Sequence, residues 1–178
     1  MKIINLLDFY LKYYIFGPHT ALNALRRYPK YSIIPVLKSF GGVIGDNCDI
    51  ESGITFHNCT DFSNLKIGNN CHIGKDCFFD LRAKITIEEN VVISMKTKLL
   101  THLDLSKSEL TKIYPPASAE ILIKKNVYIG VDCTVLMGNT IGEFSFAGAN
   151  SLINKDVAPY KMIAGIPAKV IKNIEYNL

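Results

Sequence analysis

Residues 123–157 read IKKNVYIGVDCTVLMGNTIGEFSFAGANSLINKDV, and in this stretch an apolar residue returns every six places: Ile123, Ile129, Val135, Ile141, Ala147 and Ile153. Six is the period of neither a helix nor a single strand. Gly130, Gly142 and Gly148 follow the apolar residue directly, so glycine is expected to mark regular corners. A short strand that turns a corner every six residues, three times per circuit, forms a triangular coil whose successive turns stack into an all-β solenoid.

Upstream, the same beat runs through Ile44, Ile50, Phe56 and Phe62, then through Ile67, Ile73, Phe79 and Ile85, and then through Ile87, Ile93 and Leu99. One unit a residue short and one two-residue insertion separate these runs, and both slips are expected to be bulged corners. Between Leu100 and Ile121 the beat disappears, and the intervening segment carries polar residues and the pair Pro115-Pro116. A long excursion from a regular frame is a common seat of function. The fifth place of a unit holds small residues, Cys48, Cys71, Cys77, Cys133, Thr60, Thr97, Ser145 and Ser151, which fits side chains packed into corners. Asn139, polar at a small apolar slot, is expected to bond along a ladder of neighbouring corners. After Val157, Pro159, Gly165 and Pro167 mark a terminal loop, and a short apolar tail caps the open end.

The amino-terminal 40 residues are different. Residues 1–16 are apolar except at Lys2, Asn5, Asp8 and Lys12, a spacing of three or four that predicts a helix with one narrow wet face and a wide apolar face to hide. The run has no signal-peptide cleavage site, and with charges inside it is too short to span a bilayer. Two readings stand for the apolar face: packing on the solenoid or a neighbouring subunit, or peripheral contact with a membrane interface through residues 1–16. Gly17-Pro18 ends this helix, and a second is expected from Thr20 to Arg27, with Arg26 and Arg27 on a solvated face. A connecting segment through Pro35 then leads to Gly41-Gly42. The organisation expected is a helical segment over 1–40 and a solenoid over 41–174, interrupted by a loop at 103–120.

The chain has 178 residues, 48% of them hydrophobic, with 20 basic against 16 acidic side chains. That suits one body with a sizeable core, and no Lys/Arg block points to nucleic acid. Five cysteines without C-x-x-C spacing argue against zinc ribbons and a disulfide framework and favour a reducing, cytoplasmic setting. Of four histidines only His102 stands where the coil breaks into the excursion, and imidazole is suited to removing a proton from an attacking hydroxyl or amine. Asp104 is a candidate to orient it. His57 and His72 occupy different places in their turns, so a three-histidine metal site is not expected.

The pair Thr101-His102 before the excursion, NVYIG at 126–130, AGANSLINKDV at 147–157 and AGIPAKVI at 164–171 together resemble the hexapeptide-repeat acyltransferases, within them the maltose, galactoside and polysaccharide O-acetyltransferases. The resemblance implies a left-handed parallel β-helix, a homotrimer with active sites between subunits, and acetyl-CoA as acyl donor. It makes His102 the general base and puts Asp80 and Arg82 near the acceptor. It runs the pantetheine arm past Val131 and Ala149, with Asn154 and Lys155 close by, and sets Lys169 and Lys172 near the nucleotide phosphates. No metal is implied. Tyr128 stands where many relatives have tryptophan, and Asn150 replaces a usual glycine. The expected reaction is O-acetylation of a sugar or surface-polysaccharide precursor. N-acetylation of a nucleotide-linked amino sugar, a metal-dependent hydratase and a non-catalytic scaffold are the rivals.

Overall fold

The computed structural model describes residues 2–175; Met1, at the head of the first expected helix, lies outside the described residues. Three helices, α1 (Lys2–Phe16), α2 (Pro18–Leu25) and α3 (Lys30–Ser39), precede the solenoid. Pro18 opens α2 at its first turn, where a missing N–H costs nothing. The segment through Pro35 is helical rather than a connector. Pro35 sacrifices one backbone hydrogen bond inside α3, and the burial of Ile33, Val36 and Leu37 against the first coil offsets that loss.

The coils wind through three flat faces, each a parallel sheet. The first holds Val43–Ile44, Leu65–Ile67, Ile85–Ile87, Ile121–Ile123 and Thr140–Ile141. The second holds Asp49–Ile50, His72–Ile73, Val92–Ile93, Tyr128–Ile129, Phe146–Ala147 and Lys161–Ala164, closed by the antiparallel strand Lys169–Asn173. Thr55–His57, Phe78–Asp80, Lys98–Leu100, Thr134–Leu136 and Leu152–Ile153 make the third. The architecture is the left-handed parallel β-helix expected, five coils and the start of a sixth. Every residue of the six-beat points inward, from Ile44 to Ile153, and none is more than 7% exposed.

Three details differ from the sequence reading. First, Gly130, Gly142 and Gly148 do not turn the corners. Asn47, Asn70, Asn90, Asn126 and Asn150 do, with φ between 54° and 60°, because asparagine tolerates the left-handed region. Gly130 and Gly142 instead permit close stacking: a Cβ on Gly130 would lie 2.7 Å from the Ala149 nitrogen, and one on Gly142 2.5 Å from that of Pro159. Secondly, the beat slips do sit in corners, but in one corner only. Ile85 and Ile87 both face inward from one three-residue strand, as do Leu65 and Ile67, so the extra residues collect at a single corner, between the third face and the first. Thr60 lies in that corner and is exposed, unlike Cys71, Cys77, Cys133, Thr97, Ser145 and Ser151, which are buried. Thirdly, Asn139 donates to the carbonyls of Leu136 (2.7 Å) and Met137 (3.2 Å) and so closes its own corner, while the amide ladder runs elsewhere, from Asn47 to Asn70 to Asn90.

The excursion leaves from that same corner. His102–Leu103 pairs antiparallel with Ala117–Ser118, and a short 3-10 turn, Glu109–Lys112, sits at the tip. Irregularity therefore piles up along one edge of the prism. Asn58, Asp80, Thr101, His102, Asn154 and Lys155 all belong to it.

Candidate active site

Stacking of successive coils turns residues far apart in sequence into neighbours. His57 pairs in register with Asp80, and the next strand ends at Leu100, just before Thr101 and His102. Adjacent coils are about 4.8 Å apart, which is within reach of side chains. Asp80 is fully buried, and its carboxylate is surrounded by donors. Oδ2 lies 2.5 Å from His102 Nδ1, 2.9 Å from the Thr101 backbone nitrogen and 3.0 Å from the Thr101 hydroxyl. Oδ1 accepts from Asn58 Nδ2 at 2.9 Å and, more weakly, from the Arg82 backbone nitrogen at 3.4 Å. The Thr101 hydroxyl is also 2.8 Å from the Asp80 carbonyl oxygen and accepts from the Ala83 N–H at 3.1 Å.

Burial alone would push the Asp80 carboxyl up, but the hydrogen bonds from His102, Asn58 and Thr101 outweigh it and hold the group below the ordinary carboxylate range. An ionised carboxylate can only accept, so Nδ1 of His102 must carry a proton, and in the neutral ring the lone pair lies on Nε2. Asn58 Nδ2 is 3.3 Å from both ring nitrogens. Equal approach to both nitrogens sets the amide off the ring plane, out of line with the Nε2 lone pair. The imidazole is one-quarter exposed, so it is held firmly on one side and open on the other.

These contacts revise the roles expected of two carboxylates. Asp104 does not orient the ring: it accepts from the Ser106 N–H at 2.9 Å, while Asp80 holds Nδ1. Asp80, expected to touch the acceptor, stands behind the imidazole with no exposed surface. Arg82 is exposed at the same corner, where its charge helps to lower Asp104 after the hydrogen bonds from Ser106. The sequence reading missed Asn58 and His57. The His57 ring is exposed, with its centroid 6.4 Å from that of His102 and 5.6 Å from that of Phe78. A signal for it existed: His57 follows Phe56 as Asp80 follows Phe79, so both share one place in the beat. His72 lies on the second face beside Asp49. Cys59, off the small-residue slot, is half-buried, and burial, with Asp61 and Asp80 nearby, pushes its thiol up to about 12. It is a poor nucleophile near neutrality.

The remaining candidate residues form two groups. Val131 and Ala149 stack at the corner between the second and third faces, both exposed. Asn154 and Lys155 occupy the His102 edge, two coils or about 10 Å further along the axis. They line a cleft of about 280 Å³ with Asp156, Lys161, Ala168 and Val170. Lys169 adjoins Val170 on the last strand, and Lys172 faces Met162 in register; both are exposed. Asn154 and Lys155 thus share one cleft, Lys169 stands on the strand that borders it without lining it, and Val131 and Ala149 belong to a different edge of the same chain.

No protein-family model matches the chain. It is 30% identical over 145 residues to the galactoside O-acetyltransferase of Escherichia coli K12, an alignment that covers 78% of this chain and 67% of that protein. It spans between 27% and 60% of the length of other curated acetyltransferases it matches. The structure of a maltose O-acetyltransferase from Clostridium difficile 630 superposes with a TM-score of 0.76 at 25% identity, covering 87% of this chain and 83% of that one. A galactoside acetyltransferase in complex with coenzyme A gives a TM-score of 0.73 at 26% identity over 98% and 82%.

Proposed function

The chain belongs to the hexapeptide-repeat acetyltransferases, and from that premise we propose that it transfers an acetyl group from acetyl-CoA to a hydroxyl of a sugar or surface-polysaccharide precursor. The observation that carries the reading is the Asp80–His102 pair: a buried carboxylate fixes Nδ1–H and so puts the lone pair on Nε2 of a ring that is one-quarter exposed. The donor supplies an activated acyl group whose carbon–sulfur bond breaks. His102 Nε2 takes the acceptor proton as the hydroxyl oxygen bonds to the acyl carbon, then passes that proton to the departing thiolate. Asp80 offsets the positive charge that the ring gains between those two moments. No residue of the protein is acylated, which agrees with the raised Cys59 thiol.

The residues present suit the donor. Lys155 and Lys169, exposed beside the cleft, supply positive charge for phosphates, and the Val131–Ala149 corner offers exposed backbone along which a pantetheine arm can lie. In one chain, Val131 and Ala149 occupy a different edge from His102. This separation supports a homotrimer in which one subunit's donor-binding edge faces the His102 edge of the next. Arg82 and His57, both exposed at the His102 corner, are the acceptor contacts in this reading.

Free-thiol release from acetyl-CoA, followed with a panel of neutral and amino sugars, tests the proposal. Turnover with neutral sugars and a fall of about 10²–10⁴-fold in His102→Ala support it. Turnover with amino sugars alone would make the enzyme an N-acetyltransferase.

A further inference from the structure

The outward face of α1 is built the wrong way round for water. Asn5, Asp8 and Lys12 are used within the helical layer: Asn5 donates to Ser32, which is fully buried, at 2.8 Å, and Asp8 accepts from both Lys12 and Tyr28. Phe9 is fully buried, and Leu6, Tyr10 and Tyr13 pack beside it. That leaves Ile4, Leu7, Leu11, Tyr14 and Ile15, at spacings of three and four, on the open side, each between 55% and 73% exposed. Phe16 ends the stripe at 64%. A shallow groove of about 590 Å³ runs along it, lined by Leu7, Asp8, Tyr10, Leu11, Tyr14 and Ile15. The narrow polar face expected to be wet is therefore turned inward or to the flank, and the apolar one is in the open.

Charge indicates what covers this face. Residues 1–40 hold six basic side chains and one acidic, a net +5, in a chain whose total is +4; the rest sums to −1. Arg26, Arg27 and Lys38 are exposed and form no ion pair among the described residues. Two copies docked face to face through this surface would bring two +5 segments together, which disfavours that isologous pairing. An anionic lipid surface meets both requirements, an apolar boundary for the stripe and negative charge for the cations. We propose that α1 lies in the interface of an anionic membrane, with Ile4, Leu7, Leu11 and Tyr14 facing the acyl chains and Arg26, Arg27 and Lys38 drawn to the headgroups. No helix among the described residues is long and apolar enough to cross a membrane, so the contact is peripheral. The inference concerns where the protein sits and is independent of the chemistry at His102.

Flotation of the full chain with vesicles tests it, using phosphatidylcholine alone or an equal mixture with phosphatidylglycerol. The expected result is flotation with the mixed vesicles, reduced about tenfold or more by phosphatidylcholine alone or by high salt. Leu7→Glu with Leu11→Glu lowers vesicle binding at least tenfold, and Arg26→Ala with Arg27→Ala and Lys38→Ala lowers it to a similar degree. Both sets lie on the surface, and circular dichroism checks their fold. The chain contains no tryptophan, so Tyr14→Trp provides a single fluorescent reporter. Its emission should shift to the blue with mixed vesicles and be quenched by brominated acyl chains. Wild-type protein that stays at the bottom with both vesicles, or an indole emission of the Tyr14→Trp protein indifferent to lipid, overturns the proposal. So does Leu7→Glu/Leu11→Glu protein that floats like wild type. A smaller particle in that variant, with no vesicle binding by the wild type, shows that a second copy covers the face and also overturns it.

Discussion

Replacing Asp80 with asparagine keeps the shape of the buried side chain and removes its charge. Oδ2 takes the His102 Nδ1–H at 2.5 Å and the Thr101 N–H at 2.9 Å, and Oδ1 takes the Asn58 amide at 2.9 Å. If the new amide nitrogen faces His102, the ring must accept at Nδ1, its remaining proton moves to Nε2, and no base is left. If the amide oxygen faces His102, the tautomer survives but the imidazolium formed in transfer loses its counter-charge. A hydrogen bond to a charged group is worth about 1.5–3 kcal/mol, so the second arrangement alone costs roughly 10- to 150-fold in kcat. The first raises the loss to about 10⁴-fold. The assay is thiol release at saturating acetyl-CoA, paired with calorimetric titration of the donor, whose affinity should not move. Stability offers a second readout with a definite sign. Because the folded-state Asp80 pKa is depressed, its stabilisation is present above the ordinary carboxylate value of about 3.9 and is lost as pH falls through the folded pKa. Wild-type Tm should therefore drop in acid more steeply than that of Asp80→Asn. Folded Asp80→Asn protein with kcat within about threefold of wild type would refute the orienting role, since even the weaker arrangement costs more.

Other expectations follow from the same geometry. Asn58→Ala removes the donor to Asp80 Oδ1 and places alanine at φ 53°, so it should cost about 1–3 kcal/mol in unfolding free energy and lower kcat with donor affinity intact. Gly130→Ala drives a methyl into the Ala149 backbone, and denaturant titration should register a loss of about 1–3 kcal/mol. Lys155→Ala combined with Lys169→Ala should raise the donor Kd about tenfold and flatten its salt dependence, as read by calorimetry, without altering the fold.

The core was legible in the sequence because a coil repeats one physical demand, an inward apolar side chain on each face, and Ile44 through Ile153 meet it. The corners were harder to read. Asparagine and glycine both relieve a tight turn, and only the folded backbone shows Asn47 and Asn70 in the left-handed region while Gly130 makes room for a neighbouring coil. His102 was found because it borders the excursion. Its partners were obscured because the coils differ in length: Asn58 and Asp80 lie 44 and 22 residues away, and uneven loops at one corner hide that they stack. Asp104 looked plausible only through adjacency in sequence. The helices were misjudged where burial overrode a local rule, as at Pro35, and where Asn5 and Asp8 found partners across the helical layer instead of water.

The central claim is that His102 serves the acceptor while other residues hold the donor. Calorimetric titration of acetyl-CoA into wild type and His102→Ala, with turnover of the same samples against neutral sugars, tests it most directly. The account predicts equal donor binding by both proteins and a turnover about 10²–10⁴-fold lower in the variant. Undiminished turnover by His102→Ala, or no donor binding by either protein, would contradict it.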